Sequence, residues 1–288
     1  MKVKKAVIVA AGMGTRMLPA SKAIPKEVLP VVDTPAIQIV VEEAVRSGIK
    51  DIIMILSAGK DATLDHFSPS PELEAHLEKR NKHELAAQLR AISQLAAFTR
   101  VEQKEPLGLG HAVLQARDAI GGEPFAVMLP DDIFDSPRPC LGQLLEIAER
   151  RDAPVVALQR VAREDISKYG IVIGDKAGDR LLRLTGMVEK PSPDKAPSDL
   201  AIMGRYVLAP EIFDLLAEGR PGAGGEIQLT DSLIGLAQRR PFYGYEFEGI
   251  RYDLGDPLGF LSAQVAYGLK RADLADRFRT YLKSVISS

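Results

Sequence analysis

The sequence predicts an α/β fold: a mostly parallel mixed sheet with helices on both faces. Short apolar runs rich in β-branched residues recur at 6–10, 52–56, 98–103, 125–129 and 155–159, as expected of strands buried on both sides. Stretches with apolar residues at helical spacing alternate with them, which favours parallel pairing. After Arg160 the pattern becomes extended, around 170–173, 181–189 and 202–208, so the same sheet continues as a mixed one. In such folds ligands sit beyond the carboxyl ends of the strands.

The first strand, 6–10, runs into glycines and a loop that lasts to Pro30. Thr34-Pro35 then offers an N-cap and a first-turn proline for a helix carrying Ile37, Val40, Val41, Ala44 and Val45, which Gly48 ends. Residues 72–90 are dense in both charges with Leu73, Leu77, Leu85 and Leu89 on a helical period, a solvated helix over the core. Further helices are expected near 110–119 and 141–150, the second with Leu141, Leu144, Leu145 and Ala148 on its apolar face. The loops at 191–194 and 221–225 are too short to link domains. Two helices, 258–269 and 272–286, close the chain, so residues 1–288 read as a single domain.

Bulk properties exclude several classes. The chain has 288 residues and a formal charge of −2, from 37 basic and 39 acidic side chains that are interspersed, so there is no basic stripe for nucleic acid. One cysteine, Cys140, excludes an internal disulfide and fits a reducing, cytoplasmic setting; no Cys or His pairs suggest zinc. The start, MKVKKAVIVAAG, has the lysines of a signal peptide, but its apolar run is shorter than a typical signal core. No stretch approaches the ~20 apolar residues of a membrane helix.

The segment AAGMGTRMLPASKAIPKEVLP carries the first chemistry. Its third dinucleotide-fingerprint position is Met17, and Gly59-Lys60 is followed by Asp61, so neither that fingerprint nor a P-loop is present. Backbone N–H groups at Gly12–Gly14 can still converge on an anion, although the turn by itself reads first as a plain strand–helix connection. Arg16 and Lys26 add a planar fork and a compact charge for phosphates, and Lys26 lies in a loop stiffened by Pro25 and Pro30. Asp131 and Asp132 directly follow an apolar strand, and Asp253 follows another short run. The Asp-Asp pair is a turn or cap, or Asp131 with Asp253 supplies the one or two carboxylates that Mg²⁺ needs beside substrate phosphates. Glu189 and Lys190 end a strand, where neighbours ordinarily face opposite sides. Gln103 offers an amide to a base's imide edge, with Gly108 and Gly110 after it, while His111 reads as a packing or helix-start residue.

Together these motifs resemble the bacterial UTP:glucose-1-phosphate uridylyltransferases, within the sugar-nucleotidyltransferases. The resemblance runs from KKAVIVAAGMGTRMLPASKAIPKEVLPVVD through LPDDIF, KYGIVIG, MVEKP, SDLAIMGRYVL and GEIQLTD to YDLGDPLGF. It implies one Rossmann-like three-layer domain that makes UDP-glucose and pyrophosphate from UTP and glucose 1-phosphate with Mg²⁺. Residues up to about 160 would serve mainly the nucleotide, about 161–256 the sugar phosphate, and 257–288 would form C-terminal helices of a homo-oligomer, dimer or tetramer. By the same resemblance Ala11, Gly12, Gly14, Gln103 and Gly108 hold the nucleotide, Arg16 and Lys26 act on its phosphates, and Asp131 and Asp253 bind the metal. Gly170, Glu189, Lys190 and Gly204 match the sugar-phosphate site, and Asp132 and Glu226 have no fixed role. Leu254 and Pro257 depart from the family pattern, where a small or polar residue and a lysine are frequent. Synthesis of dTDP-glucose, a non-catalytic sugar-nucleotide sensor and, less compatibly with Met17, a dinucleotide oxidoreductase remain the alternatives.

Overall fold

The fold is seen in a computed structural model that describes residues 1–219 and 225–287. In chain order the strands are β1 (Lys5–Val9), β2 (Pro30–Val31), β3 (Thr34–Pro35), β4 (Asp51–Leu56), β5 (Ala97–Glu102), β6 (Phe125–Met128) and β7 (Asp132–Asp135). They continue with β8 (Val155–Arg160), β9 (Gly170–Gly178), β10 (Leu181–Glu189), β11 (Leu200–Leu208), β12 (Tyr243–Glu246) and β13 (Ile250–Asp253). Nine of them form one sheet in the order β5-β4-β1-β6-β11-β8-β12-β10-β9. The β5-β4-β1-β6 half is parallel throughout, β12 is parallel to β8, and β11 and β10 run against their neighbours. The expected mixed α/β sheet is therefore present. A pairing of Ile171 with Ala201 brings β9 back to β11, so the last five strands close on themselves.

Alternate side chains of each central strand enter different cores, which makes the three layers. Ala6, Ile8, Ile52, Met54, Leu56, Ala126 and Met128 pack under the helices Ala36–Arg46 and Cys140–Arg151. Val7, Ile53, Ile55, Phe125 and Val127 pack on the other face against Leu109–Leu114, Ile212–Ala217 and Leu229–Arg239. Because β1, β4, β5 and β6 are parallel, the segments leaving them (Ala11–Gly14, Gln103 and Leu129–Asp132) all emerge at one edge. A separate ribbon of β7 and β13 sets Asp253 opposite Asp132.

Some element boundaries differ from expectation. Thr34 and Pro35 pair with Val31 and Pro30 as a small hairpin, and the helix begins only at Ala36. The charged stretch forms two helices, Pro71–Lys79 and His83–Ser93, broken where Asn81 adopts φ +57°. Leu73 and Leu85 stay exposed there. The helix expected at 110–119 is likewise two, Leu109–Leu114 and Arg117–Ile120. The closing helices are Pro257–Gly268 and Ala275–Ile286, and most of the loop expected at 221–225 lies outside the described residues.

Candidate active site

Two adjoining cavities occupy the carboxyl edge of the sheet. The larger, about 580 Å³, is lined by Ala11, Gly12, Gly14, Arg16, Lys26, Gln103, Gly108 and Asp131, among others. Gly14 adopts φ +68°, a conformation open to glycine, and its carbonyl accepts a hydrogen bond from Ser21 Oγ at 2.7 Å, which ties the turn to the loop that follows. Gly108 has φ +102°, and a Cβ there would come within 2.8 Å of Glu226 Cβ, so the chain can pass only as glycine. Gln103 Nε2 donates to the Gly108 carbonyl at 3.2 Å and lies 3.0 Å from His111 Nδ1. His111 thus braces the amide.

The smaller cavity, about 260 Å³, is lined by Gly170, Glu189, Lys190, Gly204, Thr230 and Arg251, and shares Arg16, Asp131 and Glu226 with the larger. Glu189 and Lys190 both line it although they are neighbours. Lys190 lies just past β10 at φ +45°, and its Nζ sits 3.5 Å from Glu189 Oε1, so the turn overrides strand alternation. Glu189 Oε2 accepts from Thr230 Oγ1 at 2.7 Å. A Cβ at Gly170 would press on that same carboxylate at 3.1 Å. At Gly204 a Cβ would clash with the Asp132 carboxylate, and the Gly204 N–H donates to Asp132 Oδ2 at 3.0 Å instead.

Charge gathers where the cavities meet. Lys26 opens a 3₁₀ turn, Lys26–Val28, that aims successive side chains apart: Lys26 Nζ reaches Asp131 Oδ2 at 2.5 Å, while buried Glu27 pairs with Lys60 at 2.9 Å. Arg16 Nη2 lies 3.8 Å from Asp131 Oδ2 and its side chain stays mostly exposed, free to turn toward a ligand. Burial weighs against both charges of the Lys26–Asp131 pair, but their attraction and hydrogen bond prevail. The ammonium is held above its usual pKa and the carboxyl below its own. Asp132 goes the other way, raised by burial against the attraction of Arg251.

Arg251 was not anticipated as a site residue. Its Nη2 contacts Asp132 Oδ1 at 2.5 Å and Asp253 Oδ2 at 3.3 Å, and its guanidinium lies over the Tyr169 ring at 5.2 Å. It stands two residues before Asp253 in β13, so strand period alone places both on one face, a signal present in the sequence. Leu254 is buried and donates its N–H to the Asp131 carbonyl at 2.7 Å, a backbone role that tolerates an apolar side chain. Pro257 occupies the first turn of its helix behind Asp256, which caps it by accepting from Gly259 N–H at 3.0 Å.

The donor set fits Mg²⁺. Asp131 and Asp253 line one cavity as hard oxygen donors, brought together by the β7–β13 ribbon and the Leu254–Asp131 bond. No group of three or more acidic, His or Cys side chains able to hold a metal occurs among the described residues. Mg²⁺ takes one or two protein carboxylates and completes its shell with phosphates and water.

A family model described as nucleotidyl transferase matches residues 5–268. The UTP–glucose-1-phosphate uridylyltransferase YngB of Bacillus subtilis is 49% identical over 285 residues, 99% of this chain and 96% of that relative. This chain belongs to the nucleotidyl transferase family, among its UTP–glucose-1-phosphate uridylyltransferases. Solved structures agree. A UDP-glucose pyrophosphorylase complexed with UDP-glucose superposes with TM-score 0.86 at 40% identity, covering 93% of this chain and all of that one. A UTP-bound enzyme from Acinetobacter baumannii gives 0.88 at 38% identity, covering 97% and 98%.

Proposed function

We propose that this uridylyltransferase-family chain joins UTP to glucose 1-phosphate, giving UDP-glucose and pyrophosphate. The observation that carries the reading is the pair of adjoining cavities with Arg16 and Asp131 on their common wall and Lys26 bonded to Asp131. Two anionic substrates can meet only where cations stand between them. The names of the relatives supply the substrates.

In this reading the larger cavity takes the nucleotide. The N–H groups of Ala11, Gly12 and Gly14 face its phosphates, and Gln103 and Gly108 its base. The smaller takes the sugar phosphate against Gly170, Glu189, Lys190 and Gly204. Residues to about 160 thus serve mainly UTP and those from 161 to 256 mainly the sugar. Asp131 and Asp253 would hold Mg²⁺, which when bound offsets the charge of the nucleotide phosphates. A phosphate oxygen of glucose 1-phosphate attacks the α-phosphorus in line, one P–O bond forms as the α–β bond breaks, and pyrophosphate leaves. The sugar C1–O bond is untouched, so the anomeric configuration is kept. Lys26 turns from Asp131 to the transferred phosphate and Arg16 steadies the departing pyrophosphate. Positioning and electrostatics therefore suffice without a protein nucleophile.

No helix among the described residues is long and apolar enough to cross a membrane, and a cytoplasmic homo-oligomer is part of the proposal. Leu258, Leu261, Tyr281 and Val285 expose apolar surface on the two closing helices, which an oligomer would cover. The test is pyrophosphate release by purified protein with each nucleoside triphosphate against a panel of sugar 1-phosphates. UTP with glucose 1-phosphate is expected to give the highest kcat/KM, with dTTP weaker; a clear preference for ATP or GTP overturns the base-site reading.

A further inference from the structure

We propose that Arg205 is a positioning residue that sets the Asp131 carboxylate from behind, through the backbone of the acidic loop. Its side chain is wholly buried and its donors are fully engaged. Nε reaches both Glu43 oxygens at 3.1 and 3.2 Å, and Nη2 reaches Glu43 Oε2 at 2.7 Å and the Asp132 carbonyl at 2.9 Å. Nη1 donates to the carbonyls of Leu129 at 2.9 Å and Gly204 at 2.8 Å. The guanidinium also lies over the Phe134 ring at 4.6 Å. A guanidinium has five N–H groups, so none is spare.

The carbonyls it grips belong to Leu129 and Asp132, which bracket Pro130 and Asp131. Both ends of the loop are therefore fixed to one rigid fork. Glu43 anchors that fork in turn, since it also accepts from the Leu141 N–H at 2.9 Å and so ties together the helices Ala36–Arg46 and Cys140–Arg151. Gly204, the residue before Arg205, holds the Asp132 side chain. A buried ion pair is a weak source of stability, because desolvation offsets much of the attraction. Its place directly behind Asp131 points to a geometric task, one that lysine cannot perform because a single ammonium lacks the planar fork.

This inference rests on reading Asp131 as a metal ligand, so Asp131→Asn serves as its reference. Binding of Mn²⁺ in the presence of UTP, followed by electron paramagnetic resonance, is compared in wild type, Asp131→Asn, Arg205→Lys and the double variant Glu43→Leu/Arg205→Met. The double variant removes both charges together and leaves none unpaired, and Arg205→Lys supplies the test if the double does not fold. In folded protein both Arg205 variants are expected to bind Mn²⁺ at least about tenfold more weakly and to lose kcat, while UTP affinity measured without metal stays within about twofold. A folded Arg205 variant with Mn²⁺ affinity within twofold of wild type, when Asp131→Asn has lost it, overturns the positioning role alone. Wild-type Mn²⁺ affinity in Asp131→Asn overturns the metal reading and this inference with it.

Discussion

Around the larger cavity much of the contact comes from main chain, through the glycine turn of Ala11–Gly14 and the positive-φ Gly108. Around the smaller one it comes from side chains already bound to one another: Glu189 to Thr230 and Lys190, and Arg251 to Asp132 and Asp253. In the proposed reading, the main-chain N–H groups of that turn receive the nucleotide without first parting an ion pair. A ligand entering the second must exchange partners within an ion-pair network. A triphosphate, long and of fixed charge pattern, suits a preformed main-chain cradle; a sugar's hydroxyls suit acceptors such as Glu189, whose partners can yield. The wall between is where the two modes meet, and there Lys26 and Asp131 neutralise each other, a pair that substrate would divide in the proposed reaction.

The sharpest way to break this comparison is at that wall. Lys26→Ala is expected to lower kcat about 10²-fold or more and to raise the UTP KM much less, the scale of losing one strong electrostatic contact to developing charge. Synthesis and pyrophosphorolysis must fall in the ratio that preserves the equilibrium. Lys26→Arg restores only part of the rate, since a planar fork does not replace a compact ammonium. Kinetics in both directions, on a variant whose Tm matches wild type, decide it. A raised UTP KM at wild-type kcat would make Lys26 a uniform binding contact belonging to the nucleotide side alone.

A smaller effect separates the cavities from each other. Glu189→Gln keeps the shape of the Thr230 contact but halves the acceptor character of the side chain, so the glucose 1-phosphate KM is expected to rise roughly tenfold, the scale of one hydrogen bond to a charged group. UTP affinity by calorimetry should change little. A collapse of UTP binding in this variant would show that the two cavities act as one.

The same contrast explains what could be read in advance. Gly12, Gly14 and Asp131 are written just past strand ends, and Arg16 and Lys26 in the loop that follows the first strand, so local pattern marks them as candidates, and the β-branched runs match nearly every parallel strand. Arg205 and Glu43 were not singled out. They meet across 162 residues, and an arginine in a wholly buried strand carries no local mark of its partner. Thr230 is bound to Glu189 over 41 residues for the same reason. Thr34 was misplaced because Thr-Pro before an apolar period has the form of a helix start, whereas pairing with Val31 claims it for a hairpin. Lys190 shows the limit of alternation: by that rule alone it turns away from Glu189, and one left-handed residue after the strand lets both line the same cavity.

The smallest expected effect concerns stability, and it asks whether the wall is held by the pair itself. The Lys26 ammonium has its pKa raised above 10.5, so its contribution to stability is complete below that pH and is lost as pH rises through the higher folded value. The Asp131 carboxyl is lowered below 3.8, so its contribution is complete above that pH and is lost as pH falls through the lower folded value. Lys26→Met removes the partner but keeps much of the buried stem. The Tm gap between wild type and this variant is therefore expected to be level across the neutral range, at roughly 2–6 °C for one charge-assisted hydrogen bond in a chain of this size. It should begin to shrink as pH falls below about 3.8, closing only below the lower folded value of Asp131, and again as pH rises above about 10.5, closing only above the higher folded value of Lys26. Thermal melts of the ligand-free proteins from pH 3 upward measure it. A gap of the same size at both extremes would assign the loss to an imperfect fit of the methionine side chain, and the wall would then owe its geometry to the backbone clamp behind Asp131 and not to the ion pair in front of it.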